Sequence, residues 1–379
     1  MTCRICLSDT ETIFPMGRMP LPNKLLTSPD DTYDTYPLNL EKCLFCGHAQ
    51  LDRTLPPSAI FDDYGFFSSY SKPLLDRMER LSSIIQSKGT HFLNSNTRVV
   101  EIGSNDGYLL QFYQKSGIPV LGVDPSIKAA NAAALKGIPT AVEYFSLDTA
   151  KKLLATYGPA RVIHAHNVLA HVPDPNDFVQ GLRTLLDPEG IIIVEVQYAK
   201  YLTFDQIYHE HVSYFSINSI VRLFEQNDLQ VQEVNFISDH GGSLQVVIQK
   251  GMFRKIVKDQ MNWNAWVRNT CVTIDILETM LADKWRGVVA GFGASAKATI
   301  MLNKLQHSGD FAYIVDDTPE KQGKYIPGTK IQVVKRAVLE ASPADFLFLF
   351  AWNYADAIMA QFPEYKGRFI IPFPEPRIA

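Results

Sequence analysis

The sequence predicts an α/β protein with two Rossmann-like sheets behind a small, metal-stapled N-terminal module. Three observations carry this reading. From Arg98 onward, short apolar runs alternate with helical stretches, the pattern of a parallel sheet covered by helices on both faces. A long helical region, 252–285, interrupts that alternation, and a second α/β series follows it. Ahead of both, residues 1–70 are rich in Pro, Thr and Asp, poor in periodic apolar stretches, and hold two Cys-x-x-Cys pairs. The expected domains are therefore 1–70, 71–251 and 252–379.

Each element follows from its local pattern. A helix is expected near SKPLLDRMERLSSIIQSK, ahead of the first sheet. The strands of that sheet read RVVEIG, PVLGVD, PTAVEYF, RVIHAHNV and GIIIVEV, with helical stretches such as KAANAAALKG and LDTAKKLLATYG between them. Two more strands, LQVQEVNFI and SLQVVIQK, are joined by the short turn SDHGG, which makes them an antiparallel pair. Five alternating units and a terminal hairpin outline a seven-stranded sheet. The C-terminal series reads GVVAGFGASAKATIML, FAYIVDDTP, ADFLFLFAWN and GRFIIPFP, a smaller Rossmann-like domain.

Composition narrows the partners. The chain has 379 residues, 46% hydrophobic and 20% charged, with a net charge of −4, the balance of an ordinary soluble globular protein. A nucleic-acid partner would favour a basic surface, so none is expected. No apolar run approaches the roughly 18 residues of a membrane helix, and the start MTCRICLSD lacks the apolar stretch of a secretory signal. The expectation is a cytoplasmic, monomeric protein.

Four of the five cysteines form the two pairs, Cys3 with Cys6 and Cys43 with Cys46, separated by 36 residues. Two such pairs can close a tetrahedral zinc site and staple a segment short of core. Four thiolates leave no open position for water, so the expected ion, one Zn2+ per chain, is structural. Cys271, alone in a helical stretch, reads as a small core residue.

VVEIGSNDGYLL is a strand, a glycine turn and a helix start. Gly103 permits the turn and Gly107 the close approach of a helix or ligand. Asn105 stands where a G-x-G-x-x-G fingerprint has its second glycine, which disfavours a bound pyrophosphate. S-adenosylmethionine carries no phosphates and suits the looser turn. Asp124, ending the second strand, can accept both ribose hydroxyls. Glu101 either orders the turn or meets the amino-acid part of the donor. Phe145 is either an adenine wall or an ordinary core aromatic.

The four-cysteine module, EIGSNDG, NVLAHVPDP, FDQIYHEH, HGGS, GFGASAK, VDDTPEKQGKY and PFPEPRI occur in an order that resembles the NDP-sugar C-methyltransferases of deoxysugar biosynthesis, over nearly the whole chain. The resemblance implies a zinc module, a class I methyltransferase domain binding S-adenosylmethionine, and a C-terminal Rossmann-like domain that helps form the substrate cleft. It implies a nucleotide-diphosphate sugar substrate with a ketone at C4, methylated at C3 through an enolate. A site for this chemistry needs a base with a pKa near neutral and donors for the enolate oxygen. By resemblance His211 is the base, Tyr208 and Glu210 line the site with it, and His171 in LAHVP is a further active-site histidine. Ser104, Asn105 and Asn167 join Glu101, Gly103, Gly107, Asp124 and Phe145 as candidate donor contacts. His209 stands where the family pattern has aspartate and receives no role. Tyr64 and Tyr70, in YGFFSSYS, and His240, in DHGGS, are candidate substrate contacts.

The C-terminal turn, GFGASA, fits a dinucleotide fingerprint by spacing better than the first turn does, with Asp316 ending the next strand. A nicotinamide-dependent enzyme is therefore one rival reading; another is an S-adenosylmethionine-dependent methyltransferase of this fold that acts on a different small molecule. On the family reading, Gly291, Gly293 and Lys297 are candidates to hold the sugar-nucleotide diphosphate. A zinc-bearing RNA methyltransferase is disfavoured, because residues 1–60 hold five Lys or Arg against seven Asp or Glu.

Overall fold

The computed structural model describes residues 1–379 except 57–66, 238–240, 252–255, 258, 260, 283–286 and the side chains of 308 and 309. Three sheets organise it. In the first, β1 (Thr10–Pro20), β2 (Thr35–Cys43) and β3 (Ala49–Leu51) form an antiparallel meander.

The second sheet takes β4 (Val99–Ile102), β5 (Val120–Val123), β6 (Thr140–Ala141), β7 (Ala160–His166) and β8 (Leu186–Gln197) in parallel. The chain then crosses back, and β9 (Ser213–Tyr214) pairs with β3 as the fourth strand of the first sheet. β10 (Gln230–Ile237) and β11 (Ser243–Gln249) return as an antiparallel hairpin, with β11 against β8. The resulting order, β10-β11-β8-β7-β4-β5-β6, is seven-stranded as expected. Its strand order reverses between β4 and β7, where ligands bind outside the carboxyl ends of strands. The third strand is shorter than its sequence suggests: of PTAVEYF, only Thr140 and Ala141 pair.

The third sheet holds β12 (Val289–Phe292), β13 (Phe311–Val315), β14 (Val333–Val334), β15 (Phe346–Leu349), β16 (Phe369–Ile371) and β17 (Arg377–Ile378), ordered β14-β13-β12-β15-β16-β17. It is parallel except for β17. The two-residue strands β14 and β17 are too short to show a periodicity. The long helix between the sheets runs Trp263–Ala282. On it Cys271 is exposed, so the core position expected for it is wrong; the helix buries Trp263, Trp266, Thr270, Leu277 and Leu281 instead.

The first sheet solves its shortage of core by sharing one. Phe14, Met16, Leu38 and Leu40 pack in one apolar cluster with Phe204 and Ile207 of the 200–210 segment, and with Met301 and Phe348 of the C-terminal domain. Among the described residues, no helix is long and apolar enough to cross a membrane.

Candidate active site

The four N-terminal cysteines converge. All four sulfurs lie within 4.8 Å of one another, with Cys3 Sγ to Cys46 Sγ at 3.6 Å and Cys6 Sγ to Cys43 Sγ at 3.4 Å. Sulfurs around one tetrahedral zinc, with Zn–S about 2.3 Å, stand roughly 3.8 Å apart. The donor set fits zinc, and backbone N–H groups of Ile5, Phe45 and Cys46 point at the Cys3 and Cys43 sulfurs, as they do toward thiolates. Metal binding is coupled to folding in such modules. Cys43→Ala is expected to lose the single zinc and much of its thermal stability together, read by metal analysis and a melting curve; a fully folded, zinc-free wild type would refute the site.

At the carboxyl ends of β4, β5 and β7 the glycine turn takes the shape its sequence demands. Gly103 has φ 69°, and a Cβ there would lie 2.4 Å from Val168 Cγ2. Gly107 has φ 75°, and a Cβ on it would lie 2.4 Å from Ile138 Cδ1. Both are sites where only glycine fits. Asp124 closes the turn: Oδ2 accepts from Asn105 N at 2.8 Å and Oδ1 from Ser126 N at 2.9 Å. Burial raises its pKa, and the two backbone bonds oppose that. Asn105 is itself in the left-handed region, φ 48°, and its Oδ1 accepts from Ser68 N at 3.1 Å. Ser104 is fully buried under the turn.

Glu101 is wholly buried. The Tyr108 hydroxyl stands beside it, yet neither carboxyl oxygen completes a hydrogen bond of normal geometry among the described residues. Burial pushes its pKa well up. A buried carboxyl short of partners fits a ligand that brings an ammonium group, as S-adenosylmethionine does. Asn167, left-handed at φ 55°, is exposed at the end of β7. Phe145 is partly buried; it meets Phe178 edge-on, centroids 5.2 Å apart, and lies over Gly181.

Next to this turn stand the residues of YHEH and LAHVP. The His171 and His211 rings are 4.7 Å apart. Tyr208 Oη meets His211 Nε2 at 2.9 Å. His171 Nδ1 donates to the Glu210 carbonyl at 2.7 Å. Val212 N donates to Ala170 O, tying the two segments together at the backbone. Both histidines are partly buried, and burial holds their pKa values down, with His171 adding to the effect on His211, so the expected base lies below the near-neutral range sought for it. Glu210 is 6% exposed. Burial pushes its carboxyl up to about 7, against its own backbone N–H and the Asn23 amide. His209 turns the other way, toward Tyr36 of the first sheet, with Nε2 3.4 Å from Tyr36 O.

The remaining candidates divide. Tyr64 and His240 lie outside the described residues. Tyr70 is 77% exposed and meets the Phe67 ring edge-on. A Cβ on Gly291 would meet Phe350 at 2.6 Å, and one on Gly293 would meet Ala351 at 2.9 Å, so these glycines admit the chain's own packing. Lys297 Nζ donates to Asn353 Oδ1 at 2.7 Å and sits 4.5 Å from the Trp352 ring. Nearby, Asp205 is fully buried and accepts from Trp352 Nε1 at 2.9 Å, joining the 200–210 segment to the C-terminal domain.

Sequence reasoning missed a buried polar chain on the face of the central sheet that also carries Glu101. Arg77 holds Glu195 with two bonds, 2.7 and 3.1 Å. Glu195 Oε2 meets His166 Nδ1 at 3.1 Å, His166 Nε2 meets His164 Nδ1 at 3.1 Å, and His164 Nε2 meets Tyr113 Oη at 2.9 Å. A signal existed: Glu195 interrupts the apolar run IIIVEV, and a carboxylate in a buried strand requires a partner. Asn23, which donates Nδ2–H to Glu210 Oε1 at 2.9 Å, gave no such signal.

Comparison with known proteins identifies the family. Residues 257–374 match a C-methyltransferase C-terminal domain, 69–234 a methyltransferase domain, and 3–61 a domain described as zinc binding. The C-methyltransferase NovU of Streptomyces niveus is 31% identical over 99% of this chain and 96% of its own length. A ubiquinone biosynthesis O-methyltransferase of Colwellia psychrerythraea is 31% identical over 25% of this chain and 39% of its own. A solved S-adenosylmethionine-dependent methyltransferase of Anabaena variabilis shares 18% identity, covers 46% of this chain and 85% of its own, and has a TM-score of 0.37. With full-length similarity to one C-methyltransferase, the zinc-binding and C-terminal domain matches on either side of a methyltransferase domain, and four converging cysteines, the chain belongs to the C-methyltransferase family and is a zinc-bearing, S-adenosylmethionine-dependent enzyme.

Proposed function

We propose that the enzyme methylates C3 of a nucleotide-linked 4-keto-deoxy sugar, with His211 as the base. The observation that carries this is the meeting of His211, His171, Tyr208 and Glu210 beside the glycine turn, at the carboxyl end of β7. The motif order that resembles the sugar C-methyltransferases supplies the substrate class. S-adenosylmethionine supplies an electrophilic methyl group when bound. Glu101, Asp124 and Asn167 are the proposed donor contacts, with the turn residues 103–107.

The side chains suit enolate chemistry. A ketone at C4 acidifies the C3 proton, so a neutral imidazole suffices to remove it. His211 is in that form at neutral pH, because burial and the adjacent His171 hold its pKa well down. Its Nδ1 is buried, which leaves Nε2, where the Tyr208 hydroxyl meets it, as the nitrogen that reaches substrate. In the resting site the Tyr208 hydroxyl donates to the Nε2 lone pair; turning to the enolate oxygen as negative charge grows there, it gives up that bond and frees Nε2 to take the C3 proton. His171, anchored through Nδ1, has its ring fixed against His211 and orients the sugar.

The test is His211→Asn. Donor affinity should persist while turnover falls about 100- to 10,000-fold, measured by mass spectrometry on a panel of nucleotide-linked 4-keto sugars. Loss of deuterium from C3 without donor should fall equally. If the variant exchanges and methylates at the wild-type rate while His171→Asn is inactive, the two histidine roles are reversed. If both remain active, the cluster is not the catalytic site.

A further inference from the structure

The site described so far belongs to the central domain, yet one of its carboxyl oxygens is held from outside. Asn23 lies in the segment after β1, in the part of the chain that carries the zinc cysteines, and donates Nδ2–H to Glu210 Oε1 at 2.9 Å. Its partner is buried, whereas Asn23 is exposed, so it stands in an open wall with its amide turned onto the carboxyl. The other oxygen, Oε2, is buried with no hydrogen-bonding partner among the described residues. An amide N–H donates to an unprotonated oxygen, so this bond leaves the carboxyl proton, when there is one, to Oε2.

The segment bearing Asn23 is held in place by the third domain. Pro22 O accepts from Thr299 Oγ1 at 3.1 Å. Leu26 and Tyr325 exchange two backbone bonds, Leu26 N to Tyr325 O at 2.9 Å and Tyr325 N to Leu26 O at 2.8 Å. Asn23 lies between these anchors. A side chain held at one position by its neighbours on both sides is what fixing a carboxyl group requires.

We propose that Asn23 is the positioning residue of Glu210: it holds Oε1 as acceptor, so that the carboxyl proton stays on Oε2 and the group keeps one orientation in the substrate site. Thr299 and Tyr325 place Asn23, and the N-terminal and C-terminal domains thereby set the donor geometry of a central-domain acid. The proposal rests on the assignment of Glu210 to the substrate site.

The proton balance is simple. Glu210 donates a hydrogen bond and keeps its proton, while His211 takes the C3 proton. The groups around Glu210 are His171, which donates to its carbonyl, His211, Tyr208 and the Tyr214 phenol. With the carboxyl near 7, the neutral form is present at and below neutral pH and is lost above it. The Asn23 bond favours the charged form, so its removal moves that loss to higher pH.

Asn23→Ala tests this, with Glu210→Gln and the double variant measured beside it. Asn23→Ala should lower kcat about tenfold, leave zinc content, melting temperature and donor affinity unchanged, and move the alkaline limb of the kcat/KM profile upward. Asn23→Ser, which keeps a donor, should recover part of the rate and return the limb toward wild type. The double variant should be no slower than Glu210→Gln alone, because Asn23 acts through that carboxyl. If the two losses multiply, or the alkaline limb of Asn23→Ala stays in place, Asn23 does not act through Glu210. A fully active Glu210→Gln would instead overturn the assignment of Glu210, and this proposal with it.

Discussion

The two Rossmann-like halves share one joint and differ in what fills it. Gly103 N donates to Val123 O at 2.8 Å, and Gly293 N donates to Val315 O at 2.8 Å. Asp124 Oδ2 accepts from Asn105 N and Oδ1 from Ser126 N. Asp316 repeats the pattern, Oδ2 from Ala294 N at 2.8 Å and Oδ1 from Thr318 N at 2.9 Å. In the C-terminal half Lys321 Nζ then reaches Asp316 Oδ2 at 3.3 Å and Ala294 O at 3.0 Å. Among the described residues no cation pairs with Asp124. Phe350 and Ala351 fill the room beside Gly291 and Gly293. A glycine turn and a strand-end aspartate therefore encode a way of closing a β–turn–α unit. The halves differ in the counter-charge that the chain supplies to that aspartate, since Val168 and Ile138 crowd Gly103 and Gly107 as Phe350 and Ala351 crowd Gly291 and Gly293.

The halves also differ in how their ion pairs are buried, and this gives the largest expected effect. Arg77 and Glu195 are 13% and 0% exposed at their side chains, Lys321 and Asp316 35% and 9%. Arg77→Met should destabilise the protein by about 3–5 kcal/mol, because it strands a buried carboxylate. Lys321→Met should cost about 1 kcal/mol, as its pair is part-solvated. Denaturant melts of both variants decide this, and equal losses would break the contrast. Burial alone would raise Glu195, but the His166 bond and Arg77 bring it down to about 2. A depressed carboxyl contributes stability above its unfolded value, about 4.3, and loses it as pH falls toward the folded value. Acid melts of the wild type should show that loss, and Arg77→Met should show less of it.

Donor binding comes next in size. If Asp124 holds the ribose, Asp124→Ala should weaken S-adenosylmethionine binding by about 1.5–3 kcal/mol. Asp316→Ala should leave it unchanged, since Lys321 already occupies that acid. Calorimetry measures both, with NADH as a further titrant that should bind neither half. Tight NADH binding lost in Asp316→Ala would revive the dinucleotide reading of the C-terminal turn.

This contrast shows what a sequence makes legible. The seven-stranded sheet could be read because its strands and helices have periods that need no tertiary knowledge. The zinc ligands could be read because their two pairs are matched in spacing, whereas the YHEH residues are named by resemblance to a family. Spacing alone does not decide what GFGASA does, since the pattern G-x-G-x-x-A says nothing about Phe350, Ala351 or Lys321, which come from later in the chain. The crossing of β9 into the first sheet was hidden for the same reason, as two residues cannot advertise a partner at Ala49 and Gln50. Asn23 has no local mark at all: its role is set by Glu210, 187 positions away. Cys271 shows the converse, a residue type usually buried that the helix Trp263–Ala282 turns to solvent.

The smallest effect expected concerns pH, and it separates the two aspartates most finely. Burial raises Asp124 above the ordinary value of 3.8, and its two backbone bonds only partly offset that. Ribose hydroxyls donate to the charged carboxylate, so a ligand binds the deprotonated form better. Affinity is then complete above the raised pKa and declines as pH falls through it, by at most about tenfold per pH unit. The decline should begin at a less acidic pH than an exposed aspartate would give. S-adenosylhomocysteine, which cannot react, is the ligand to use, with its Kd followed from about pH 8 to about pH 5. Asp124→Asn should bind weakly with this limb removed, while Asp316→Asn should keep the wild-type limb, because its acid is already paired with Lys321. Persistence of the full limb in Asp124→Asn would mean that another group titrates with the donor. Glu101, buried beside the same turn, would then be the acid to replace next.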